Sequence, residues 1–115
     1  MATIITKTQL NFNSAAELSA AQATDGTGKI AYDKDDAKIM ILFDNSSSSS
    51  SENVVIKKGN GIQGVSDLTV SVPASSSCAV MLESGKYVNT SGDDKGMAVF
   101  TASASNIKVR CIVLA

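Results

Sequence analysis

The chain has 115 residues, with ten Lys and Arg against eleven Asp and Glu, so its net charge is −1. That is room for one domain, with no basic surplus for nucleic-acid phosphates or an anionic membrane surface. It has no histidine, which excludes Ser-His-Asp and Cys-His catalysis and any histidine metal site within the chain.

Residues 3–12, TIITKTQLNF, put Ile4, Thr6, Thr8, Leu10 and Phe12 at even positions and Ile5, Lys7, Gln9 and Asn11 at odd ones. An extended segment here has one side more apolar than the other. It is either an edge strand of the domain's own sheet or an arm that adds a strand to a partner through main-chain hydrogen bonds. The expected division is therefore 1–12 as an N-terminal extended segment or edge strand, and 13–115 as a single β domain. Ser14 and Glu17 then form an S-x-x-E capping box in an alanine-rich stretch, which predicts one short helix near residues 14–22. With little but alanine to bury, it contributes little to a core.

A short strand is expected over 29–32, followed by the charged loop Asp33, Lys34, Asp35, Asp36. Its spacing lacks the glycine and distal glutamate of a calcium loop, so it reads as a solvated turn. Five apolar residues in a row, Ile39 to Phe43, bracketed by charge, predict a central strand covered on both faces. Six serines at 46–51 read as a loop that does not pack. It is expected to join strands 39–43 and 54–56 as antiparallel hairpin partners; the same logic pairs 68–72 with 78–83 and 97–102 with 107–114.

Gly59, Gly61 and Gly64 match G-x-G-x-x-G, but the dinucleotide fingerprint requires a helix after the glycines. Here Leu68, Val70 and Val72 alternate with Thr69 and Ser71, which predicts a half-buried strand, so no nucleotide or other cofactor is expected. The glycines are assigned to turns needing positive φ and to a tight link between strands. A short strand is expected at 85–88.

Cys78 and Cys111 each lie in an apolar strand, and buried free thiols are favoured over a disulfide. The opening MATIITK lacks the apolar core of a secretion signal and no run reaches transmembrane length, so a soluble protein made in a cytoplasm is expected.

In the final segment Ile107, Val109, Cys111 and Val113 should face the core, with Lys108 and Arg110 outward. Ile112 and Leu114 share the outward side, where either a neighbouring loop or another subunit covers them. Short strands separated by turn signals define the fold class as all-β, an antiparallel β-sandwich or barrel, jelly-roll-like. The aromatic residues Phe12, Tyr32, Phe43, Tyr87 and Phe100 are scattered, which disfavours a base-stacking platform. Catalysis would rest on Asp33, Asp35, Asp36, Glu83, Asp93 and Asp94 without an activating partner, so no enzyme is expected.

Three phrases in order, KKGNGIQG, DLTVSVPA and LESGKYVN, followed by the loop NTSGDDKGMAVF and a closing apolar strand, resemble a family of tailed-bacteriophage capsid auxiliary proteins, the decoration or cement proteins. The resemblance covers residues 38–114. It implies a non-enzymatic β-sandwich that binds the major capsid protein on the outer surface of the mature head, often as a homotrimer. The implied location is the virion, with the host cytoplasm during assembly. On this reading Ile4, Thr6, Thr8, Leu10 and Phe12 are candidate capsid contacts, and Ile112 and Leu114 candidate self-association contacts. The alternative is another virion surface or tail-associated binding module that recognises glycans, with Tyr32 or Tyr87 as contacts.

Overall fold

Alternating side chains decide which face of each strand turns inward, and in the computed structural model they build two β-sheets packed face to face. Residues 3–18, 22–23, 26–104 and 106–115 are described, with 22 and 23 as backbone only. The strands are β1 (Thr3–Ile4), β2 (Lys7–Gln9), β3 (Gln22–Ala23), β4 (Thr27–Ala31), β5 (Ile39–Asn45), β6 (Glu52–Ile56), β7 (Leu68–Val72), β8 (Ser77–Val80), β9 (Met97–Ala102) and β10 (Ile107–Val113). One sheet has the order β1-β4-β9-β6-β7; the other has β2-β10-β5-β8, with β3 also pairing β10. The molecule is 22 Å through its thinnest axis, the depth of two sheets and their side chains. The all-β sandwich expected from the alternation is the fold observed.

Two details of the fold class differ. The sheets are mixed, because β1 runs parallel to β4 and β2 parallel to β10. No helix forms over 14–18, and residues 19–21 lie outside the described residues. The capping box has no apolar stripe behind it, and without tertiary burial so short a helix is unstable in water. The α-helix among the described residues is α1 (Ser84–Tyr87), where a strand was expected. Val88 directly after it makes a single bridge to Ala98.

The three expected hairpins are crossings between sheets. β5 pairs with β10 and β8, whereas β6 pairs with β7 and β9. The chain therefore changes sheet between β5 and β6, between β7 and β8 and between β9 and β10, a span of ~10 Å that a short loop covers as readily as it closes a hairpin. The serine run stays exposed, with only Ser47 half-buried, but hydrogen bonds tie it down. Asn45, 3 % exposed, donates its side-chain amide to Ser50 O and Val72 O, both at 3.0 Å, and accepts the Ser47 N–H at 2.9 Å. Ser47 O accepts the Ser75 N–H at 2.8 Å, and the Ser46 N–H reaches Asn106 O at 3.1 Å. Main-chain bonds of Ser46 and Ser47 thus tie the serine loop to the other two connections, while the buried Asn45 amide braces it through the Ser47 N–H, Ser50 O and Val72 O. Replacing Asn45 with Ala strands these groups and should cost about 2 kcal/mol, read as a lowered midpoint in urea unfolding with an unchanged slope.

The core is drawn from the inward positions of both sheets. β5 contributes Ile39, Ile41 and Phe43, and β10 contributes Ile107, Val109, Cys111 and Val113, all buried as the alternation requires. From the other sheet come Ile30, Val54, Ile56, Val72, Ala98 and Phe100. Phe100 meets Phe43 edge to face across the interlayer space, centroids 5.4 Å apart and planes at 73°. It lies across Gly28 on the neighbouring strand, where a Cβ would come within 2.2 Å of its ring. Cys78 and Cys111 are free thiols on opposite sides of β5, opposite Phe43 and Ile41 respectively. Burial pushes the Cys111 thiol up to about 11. An alkylating reagent at neutral pH should therefore modify Cys78 first, and Cys111 only as fast as the protein unfolds.

Candidate functional site

The N-terminal segment is built into the fold. β1 sits on the edge of one sheet and β2 on the edge of the other, and between them Ile5, 3 % exposed, drops into the core. The Ile5 N–H donates to Lys29 O at 2.9 Å and the Leu10 N–H to Val113 O at 2.8 Å. Lys7 pairs with Asp33 and also donates to Ala31 O at 3.3 Å. This transfer between sheets breaks the even-odd alternation, so the candidate contacts do not share one face. Ile4 is 60 % and Phe12 80 % exposed, Thr6 is exposed and Leu10 half-buried, but Thr8 is only 8 % exposed. Thr8 stands opposite Ile112 in the parallel β2–β10 pair. Ile112 is itself 6 % exposed, covered within its own chain, while Leu114 is half-buried. Thr8 as a capsid contact and Ile112 as a self-association contact are thus corrected by burial; Ile4, Thr6, Leu10, Phe12 and Leu114 keep accessible surface.

Of the two roles expected of the glycine loop, turns at positive φ and a tight link between strands, the first is absent. Positive φ among the described glycines occurs at Gly26, Gly92 and Gly96, so Gly59, Gly61 and Gly64 are not there to reach the left-handed region. Close approach explains two of them. A Cβ on Gly59 would lie 2.5 Å from Val88 O, and one on Gly64 would lie 1.9 Å from Gly59 O. The loop of residues 57–67 folds back on itself and against α1 and the chain after it. The Gly59 N–H donates to Lys86 O at 2.8 Å, and the Lys58 N–H to the Asp67 carboxylate at 2.8 Å. Asn60 accepts the Thr90 N–H at 2.7 Å and donates to Ser91 O at 3.0 Å. Gly64→Ala should therefore lower stability by about 1–3 kcal/mol and speed amide exchange throughout residues 57–67.

This fixed loop holds up two apolar side chains, Ile62 at 102 % and Val65 at 80 % exposure. On one side of Gln63 an open groove of about 570 Å³ is lined by Asn60, Gly61, Ile62, Gly85 and Thr90. On the other a groove of about 180 Å³ is lined by Val65, Ser66, Lys86 and Tyr87. Sequence periodicity gave no warning of this surface, because Ile62 and Val65 lie between strands; two apolar residues inside a glycine-rich turn were the available signal. Tyr87 is half-buried in the smaller groove, whereas the Tyr32 hydroxyl is sealed from solvent, finds no hydrogen bond of good geometry and is pushed up to about 12 by burial.

Four of the six carboxylates considered for catalysis are engaged in structural ties. Asp33 pairs with Lys7, which holds its carboxyl below the usual range. Asp36 accepts the Ser84 N–H at 2.8 Å, Asp94 pairs with Lys29, and Glu83 with Lys86 at 3.0 Å. Among the described residues no group of three or more His, Cys, Asp or Glu stands close enough to hold a metal ion, and no helix is long and apolar enough to cross a membrane. Comparison with family models, curated proteins and solved structures finds no match to this chain.

Proposed function

We propose that the chain is a non-enzymatic structural protein of a tailed-phage virion, a decoration protein that binds the major capsid protein on the outer surface of the head and stabilises the mature shell. The observation that carries this reading is that the phrases of the resemblance fold as one unit. KKGNGIQG forms the fixed loop, LESGKYVN is the α1 segment it packs against, and DLTVSVPA is the strand leaving it. What the unit presents outward is apolar surface on a braced loop, which suits a partner better than a small substrate. Ile4, Thr6, Leu10 and Phe12 supply further capsid contacts, and Leu114 contributes to association of copies, a trimer being the arrangement the resemblance implies. Many modest contacts repeated over a lattice give strength that no single site needs. The purified protein should co-sediment stoichiometrically with expanded heads lacking it and raise their disruption temperature. Failure to co-sediment with any head form would sink the proposal.

A second reading is favoured by one observation: Tyr87 lines a groove with Gln63, Ser66 and Lys86, a mixed aromatic and polar wall of the kind a sugar ring contacts. On that reading the chain is a tail-associated or other virion surface module. Binding on a glycan array, abolished by Tyr87→Ala, would favour it over head binding.

A further inference from the structure

The two sides of the sandwich are finished differently. One side is closed by the N-terminal segment, which lays β1 and β2 along both sheets. The other ends in β7 and β8, the last strands of their sheets among the described residues.

The hydrogen-bond phase of β8 follows from its neighbours. The Asn45 N–H donates to Ser76 O at 2.9 Å, while on the far side of β5 the Leu114 N–H donates to Lys38 O. Odd-numbered residues of β5 therefore bond toward β8. Ile41 lies opposite Val80 and Phe43 opposite Cys78. In an antiparallel pair the bonded residues alternate with residues whose N–H and C=O point the other way. Ser77 and Ala79 consequently turn their main-chain groups away from the sheet.

Two further observations say what belongs there. From Leu68 to Leu82 the sequence LTVSVPASSSCAVML contains no charged residue, in a chain that is 18 % charged, and Asp67 and Glu83 bracket the run. Proteins ordinarily guard an edge with lysine, an inward charge or a covering element, and β8 itself carries no charged residue. The core is also unfinished along this side: Leu68, Val70, Cys78 and Val80 point inward yet are only half-buried, and Met81 is 52 % exposed.

We infer that β8 is an acceptor edge for an extended segment of the capsid subunit, which pairs with the main chain of Ser77 and Ala79 and lays alternate apolar side chains beside Cys78 and Val80. Alternating donors and acceptors at strand spacing are complementary to another polypeptide backbone, and the half-buried inward row of Leu68, Val70, Cys78 and Val80 selects a period-two apolar sequence. The inference rests on the head-binding reading. It adds which part of the protein engages the shell and which main-chain groups do so.

Ala79→Pro is the discriminating variant. It removes an N–H that no internal ladder uses, so the fold should keep its melting temperature to within a few degrees, while affinity for expanded heads should fall about tenfold or more. Ala79→Ser, which retains the N–H, should bind like the parent chain. Independently of any variant, hydrogen exchange in residues 77–81 of the parent chain should slow on binding to heads. Equal binding by a folded Ala79→Pro variant, or head-bound protein with unslowed exchange at 77–81, overturns the inference and leaves the decoration reading standing. Concentration-dependent protection of 77–81 in the free protein also overturns it, by assigning the edge to a second copy. Absence of head binding by the parent chain overturns both.

Discussion

Phe100→Ala should cost about 4 kcal/mol, the upper part of what a single core truncation removes, against a total stability on the order of 5–15 kcal/mol. Phe100 is 1 % exposed and spans the interlayer space to Phe43, so its loss leaves a cavity at the place where the two sheets touch. Neighbouring chain fills that space poorly, because Gly28 beneath the ring has no side chain to move in. Phe100→Leu should retain most of the stability, since it conserves much of the volume. Chemical unfolding followed by circular dichroism measures both; a loss below about 1 kcal/mol for the alanine variant would mean that the sheets are not held together at this point.

Deleting residues 2–12 should be comparably severe, at about 3–5 kcal/mol, and this bears on function. If the segment were only an arm, its removal would abolish head binding and leave the melting temperature untouched. In the structure it carries two parallel edge pairings and buries Ile5 between the sheets. Ile5→Ala alone should cost about 2–3 kcal/mol, which separates the core contribution from the rest of the segment. Ile4 and Phe12 project from the same segment and are exposed. Replacing both with Ser should leave stability nearly unchanged and, on the decoration reading, weaken head binding. On that reading the segment is both an edge strand and a contact surface, divided residue by residue.

From β5 to β10 strand identity was legible because short apolar runs and a period of two are local properties, although residues 85–88, also expected as a strand, fall in and just after α1. β10 shows it best: Ile107, Val109, Cys111 and Val113 are buried as the alternation demands. Connectivity was not legible, because a short serine loop fits a hairpin and an inter-sheet crossing alike, and the choice depends on pairings distant in sequence. The serine run looked inert for a related reason: its order comes from one residue before it, Asn45, whose amide bonds reach 27 residues along the chain. At 14–18 the local helix signal was read without its tertiary counterpart, an apolar face to bury. The glycine loop was read as positive-φ turns and a tight link; only the tightness is found, and the particular close approaches of Gly59 to Val88 and of Gly64 to Gly59 are encoded by no local pattern. The candidate contacts at Thr8 and Ile112 failed together, being opposite one another on adjacent strands.

The central claim, that the chain is a building block of the head surface, is tested most directly by imaging intact particles made with and without it and subtracting the two reconstructions. The expected difference is a thin two-layered density, 22 Å through its short axis, repeated at lattice positions on the outer shell. Difference density confined to the tail, or identical particles, would contradict the account.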